Sequence, residues 1–134
     1  MSNTKATGVA YLDPEFSTMY ATEEIGYAAS AQGTVTQATS KSTAVTLDKS
    51  LGRITMNSAS LAGGDIAMFT LNNSFIGSND ALIVNVSGAG TAGAYVAFVA
   101  SMTNGSVSLA LQNLTAGALA EAVVLNFAVI HGQA

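Results

Sequence analysis

From Thr34 to Ile130 the chain keeps a two-residue hydrophobic period, broken by turn residues at the spacing of about 8–12 positions expected of an all-β domain. A period of two sends successive side chains to opposite faces of an extended strand, so one face is buried while the other meets water. Val45 with Leu47, Ile54 with Met56, Leu82 with Val84 and Val86, and Val107 with Leu109 and Leu111 alternate in this way with smaller or more polar neighbours. The pattern predicts eight strands, at 34–38, 43–47, 53–57, 66–72, 80–86, 95–102, 107–112 and 122–130. No stretch of this region has the length or the 3.6-residue period of a substantial helix. The expected architecture is therefore all-β, an antiparallel β-sandwich or jelly roll.

Two of these strands are apolar on both faces. In EAVVLNFAVI, residues 121–130, Val123, Leu125, Phe127 and Val129 share one face, while Ala122, Val124, Asn126, Ala128 and Ile130 share the other. Strand 95–102, YVAFVASM, has the same character. Strands of this kind belong in the middle of a structure, either deep in one domain or with the second face against another subunit. Both are expected to be central. Between strands, Gly52, Gly63-Gly64, Gly77 to Asp80, Asn104-Gly105 and Gly117 supply turn residues that accept positive φ. Asn104-Gly105 predicts a two-residue type I′ hairpin joining 95–102 to 107–112.

Residues 1–32 are a different kind of segment. They hold four of the nine aromatic residues (Tyr11, Phe16, Tyr20 and Tyr27) and four of the eight acids (Asp13, Glu15, Glu23 and Glu24). Asp13-Pro14 reads as an N-cap and first helical residue, after which Phe16, Met19 and Tyr20 would share one face of a short helix. The chain thus divides into an N-terminal arm, 1–32, and a β domain, 33–134. Interface cores favour Tyr, Phe and Met, so Tyr11, Phe16, Met19, Tyr20 and Tyr27 suit an arm that grips a partner; a tail folded back on its own domain is the other reading.

Charged residues make up 9% of the chain and the residues AVILMFWYC 49%. Ser, Thr, Asn and Gly carry the solvated faces instead, and a surface so poor in charge tolerates dense packing and subunit contact. The formal net charge is −4, and Lys5, Lys41, Lys49 and Arg53 form no dense basic cluster in sequence, which argues against nucleic acid as a partner. There are no cysteines and one histidine, His131, so neither disulfides nor a zinc site built by one chain is expected. MSNTKATG lacks the apolar core of a signal peptide and no run approaches a membrane span, which predicts synthesis as a soluble cytoplasmic product. The Asn-x-Ser/Thr patterns starting at Asn72, Asn85, Asn104 and Asn113 then read as turn and strand-end chemistry.

Gly88-Ala89-Gly90-Thr91-Ala92-Gly93 matches G-x-G-x-x-G after a good strand, but the next stretch, AYVAFVASM, is β-rich, and no acid lies between Asp80 and Glu121 to hold a ribose. A flexible inter-strand loop is the better account. The acids other than Glu121 fall in the arm or at strand ends and turns, and His131, close to the chain end, is expected to be solvated. No catalytic constellation, cofactor site or metal site is expected. Glu121 opens the most apolar strand, either as a solvated strand end or as a hydrogen-bonding post at a subunit contact. Asn126, in mid-strand on the second face, is either solvated or paired across an interface. Those alternatives make Glu121, Val124, Asn126 and Ala128 the candidate subunit-interface residues.

Through the segments GTVTQATSKSTAVTL (33–47), ITMNSASLAGGD (54–65), FTLNNS (69–74), GTAGAY (90–95) and EAVVLNFAVI (121–130), the run from Gly33 to Ile130 resembles a small β-sandwich domain of tailed-bacteriophage virion proteins. That domain occurs in head decoration (cement) proteins and as a module on fibre proteins. The resemblance covers about three quarters of the chain and leaves the first 32 residues outside it. It implies self-association, commonly as a homotrimer, and a place on the virion. A short chain with an arm and no fibrous shaft fits a capsid decoration protein, with the major capsid protein as partner, no membrane or nucleic acid contact, and stabilisation of the head as its role. A fibre or tail module binding a host surface glycan is the alternative, and it would need a groove with exposed aromatics such as Phe75 and Tyr95.

Overall fold

A computed structural model describes residues 15–133. Eight strands form two four-stranded sheets: β1 (Gln32–Thr36), β2 (Val45–Thr46), β3 (Leu51–Thr55), β4 (Ile66–Asn72), β5 (Ala81–Gly88), β6 (Tyr95–Thr103), β7 (Ser106–Asn113) and β8 (Val124–Ile130). The first sheet, A, has the order β1-β3-β8-β5, and the second, B, the order β2-β4-β7-β6. The chain crosses between sheets after every strand except β6, which turns directly into β7.

That path explains a departure from the expected antiparallel order. A strand that returns to its own sheet after one excursion to the other has reversed direction twice. Accordingly β1 pairs with β3 in parallel and β2 with β4 in parallel, whereas β3–β8, β5–β8, β4–β7 and β6–β7 are antiparallel. The sandwich is all-β with mixed sheets.

The core is filled by the side chains that the two-residue period assigned to it. Ile54 from β3, Val107, Leu109 and Leu111 from β7, and Val123, Leu125, Phe127 and Val129 in and just before β8 are all buried, and Leu82, Val84 and Val86 of β5 are partly buried against them. Phe69 and Leu71 of β4, which the alternation does not single out, complete the core. Burying each such side chain is worth about 1.5–3 kcal/mol. Gly52 lies inside β3 rather than in a turn: it pairs with Phe127, and a Cβ there would stand 2.2 Å from Phe127 Cε1. The missing side chain makes room for the fully buried Phe127 ring.

β8 is central, between β3 and β5, but β6 is not; it is an edge strand of sheet B, and β7 takes the central place. The Asn104-Gly105 hairpin forms where expected, yet among its two residues only Gly105 has positive φ. Type I′ needs positive φ at both positions, so this turn is not type I′. Its geometry is fixed from outside: Gly105 N–H donates to the Ile76 carbonyl, and Asn104 Oδ1 accepts from Ser78 N–H.

The helix expected at Phe16, Met19 and Tyr20 is absent; residues 15–28 are irregular, and a three-residue 3₁₀ turn, Ala29–Ala31, leads into β1. Tyr11, Asp13 and Pro14 lie outside the described residues. A helix that short is marginal in water unless packing supports it, and here the three side chains face solvent.

Candidate interaction surfaces

The arm lies open. Residues 15–30 are exposed throughout, Tyr20 at 89% and Ile25 at 81%, with Phe16 and Met19 also largely in solvent. It touches the domain at a few polar points: Tyr27 donates its hydroxyl to the Val129 carbonyl, and Gln133 Nε2 donates to Glu15 Oε1 at 3.1 Å. Ile25 completes an apolar series with Phe16, Met19, Tyr20 and Tyr27 that the sequence pattern alone did not single out.

The two outward sheet faces differ. On sheet B the register puts Met68, Ala110 and Phe98 in one row and Ile66, Gln112 and Val96 in the next. Met68, Phe98, Ile66 and Val96 are exposed, while the small Ala110 between them is 0% exposed. The result is an apolar outer face, and it accounts for the doubly apolar sequence of β6.

On sheet A the rows are Thr34, Arg53, Asn126 and Asn85, then Gln32, Leu51, Ala128 and Ile83. Across β1, β3 and β8 runs an open cavity of about 380 Å³ lined by Gln32, Gly33, Thr34, Leu51, Gly52, Arg53 and Asn126. Arg53 is exposed, and among the described residues no carboxylate lies within 4.0 Å of it. Asn126 Oδ1 is buried without a hydrogen-bond donor, an arrangement uncommon in a finished structure.

Of the candidate interface residues, Asn126 and Ala128 are partly exposed on this face, but Val124 is 6% exposed within the single chain. Glu121 sits elsewhere, at the foot of the loop 88–93. Its carboxylate accepts from Thr91 N–H (3.0 Å), the Thr91 hydroxyl (2.9 Å) and the Tyr95 hydroxyl (2.8 Å). These donors, the Thr91 amide foremost, hold the carboxyl below the usual carboxylate range, because they bind the charged form better than the neutral one. Burial, reinforced by the Glu121 charge, pushes the Tyr95 phenol up to about 12. The glycine-rich loop is therefore pinned at Thr91, and that amide already holds a carboxylate of its own chain.

Beneath Glu121 lies a cation whose burial no local sequence pattern signals. Lys41 is 4% exposed, and its Nζ donates to the Glu121 carbonyl at 2.6 Å and to the Asn57 carbonyl. Burial pulls its pKa down, partly opposed by the Glu121 carboxylate. Gln37, also buried, spans the same corner, donating to the carbonyls of Lys41 and Thr43 and accepting from Asn57 N–H.

The remaining candidates are structural ties. His131 Nδ1 lies 3.0 Å from Asp80 Oδ2, whose carboxylate also accepts from the Gly77 and Gly132 amides. The imidazole is half exposed and bonded to an acid, not simply solvated. Asn113, 0% exposed, donates to the Leu61 and Gly117 carbonyls and accepts from the Thr115 amide and hydroxyl, which is the strand-end chemistry expected of its motif. Tyr95 is buried, so the exposed aromatic residues of the β domain are Phe75 and Phe98. Among the described residues no three of His, Cys, Asp and Glu come together as a metal site, and no helix is long and apolar enough to cross a membrane. No family model, no curated protein and no solved structure matches the chain.

Proposed function

We propose that this chain is a structural virion protein that decorates and stabilises the outside of a tailed-bacteriophage head, binding the major capsid protein as an oligomer, with a homotrimer as the expected form. The observation that carries the reading is the open arm: of five large apolar or aromatic side chains between Phe16 and Tyr27, the chain's own domain leaves all but Tyr27 largely uncovered. Covering each is worth about 1.5–3 kcal/mol, so a surface that accepts the arm gains affinity over several contacts at once. The outer face of sheet B offers a second apolar area. A protein that binds assembled capsomers but not free ones stabilises the shell by linkage.

The test is binding of the full chain and of a chain lacking residues 1–30 to heads stripped of it. The full chain should saturate the heads and raise their disruption temperature, and the truncated chain should bind poorly while keeping its own melting temperature. Full binding by the truncated chain, together with a full chain that stays monomeric at high concentration, would overturn the reading.

A further inference from the structure

We propose that the cavity on the outer face of sheet A, with the open edge of β1 beside it, receives the arm of a second copy of this chain, the arm lying along β1 and placing Glu23 or Glu24 against Arg53. The proposal rests on the oligomeric part of the function above and names the contact that would hold the oligomer, made by the stretch around Glu23 and Glu24 and leaving Phe16, Met19 and Tyr20 to the head.

The edges of the two sheets point to β1. A free strand edge is a template for pairing with another chain, and proteins blunt such edges with bulges or by keeping them short. β5 carries a register shift between Val86 and Gly88, β6 one between Val99 and Ser101, and β2 is two residues long. β1 is the exception: five residues in unbroken register with β3 and, among the described residues, no strand on its other side. An irregular, exposed arm can supply that strand by β-augmentation.

The cavity beside this edge holds a cation unpaired among the described residues, where no carboxylate lies within 4.0 Å of Arg53. An added strand would lie about 5 Å from β1 and about 10 Å from β3, a gap that the Arg53 and glutamate side chains span together. The arm carries Glu23 and Glu24 side by side, both exposed. The cavity lining includes no aromatic side chain on which a sugar ring could stack, which favours a peptide occupant over a glycan. A chain's own arm meets the cavity lining at Gln32, whose Nε2 donates to the Tyr27 carbonyl, and is otherwise tied to the end of β8 through Tyr27 and to Gln133 through Glu15.

Charge inversion tests the contact. Arg53→Glu and the double change Glu23→Lys with Glu24→Lys, all at exposed positions, should each leave the melting temperature unchanged and weaken self-association by about tenfold or more in sedimentation equilibrium. The three changes combined in one chain should restore association. The amides of Thr34 and Thr36 face the open edge, because the alternate set that includes Gln37 N–H bonds to β3; they should exchange slowly in the oligomer and fast in either weakened variant. Wild-type association unchanged by Arg53→Glu, or no rescue in the combined chain, would overturn this contact while leaving the oligomer standing. A wild-type chain that stays monomeric would overturn the oligomer and the contact together.

Discussion

The outer faces of the two sheets are built on the same plan and finished differently. Each is a four-stranded layer whose inner side chains fill one core, yet sheet B turns Ile66, Met68, Val96 and Phe98 outward, whereas sheet A turns out a polar row, Thr34, Arg53, Asn126 and Asn85, beside the more apolar row of Gln32, Leu51, Ala128 and Ile83. An apolar face gains from being covered by any close-fitting surface, whereas a polar row with an exposed cation selects its partner. In the assembly proposed above the labour divides accordingly: sheet B for broad contact, sheet A for a specific one.

The largest effect should come from breaking the plan that the faces share. Phe127→Ala, which empties the space that Gly52 leaves open, should cost about 3–5 kcal/mol in urea unfolding and disturb both faces alike. Next is the same kind of substitution made on each face. Val124→Asp on sheet A puts a charge where the side chain is already covered and should cost about 2 kcal/mol or more in folding. Phe98→Asp on sheet B should stay within about 1 kcal/mol of wild-type stability and lose head binding. Equal stability losses in the two variants would erase the distinction between covered and open outward positions.

The smallest effect concerns pH. The Glu121 carboxyl is depressed in the folded chain, so its contribution is present above the ordinary carboxylate range and is lost as pH falls through the folded-state value. The melting temperature of the wild type should fall on acidification below about pH 4.5. Glu121→Gln should start lower and show a shallower fall over the same range.

Much of this architecture is legible in the sequence. The two-residue period marks all eight strands and the inward set Val123, Leu125, Phe127 and Val129, because that period is the direct trace of one buried face. What it leaves open is whether a second apolar face is covered by the same chain. β8 and β6 read alike, yet one is central and the other an edge; double-sided apolarity reports contact, and does not say whose. The parallel pairings of β1 and β2 follow from the path between sheets, which local pattern does not encode. Lys41 is buried because two backbone carbonyls from segments 16 and 80 residues away meet its ammonium group, and no local signal carries that. The same is true of Glu121, whose partners Thr91 and Tyr95 lie 30 and 26 residues upstream.

The reading as a head-decoration protein is tested most directly by imaging the assembled particle with this chain marked by a fused tag at its C-terminus. The expected result is density for the chain on the outer surface of the head, repeated at symmetry-related positions, with the arm covered by a neighbouring chain. Density confined to a fibre or tail, or a bare head, would contradict it.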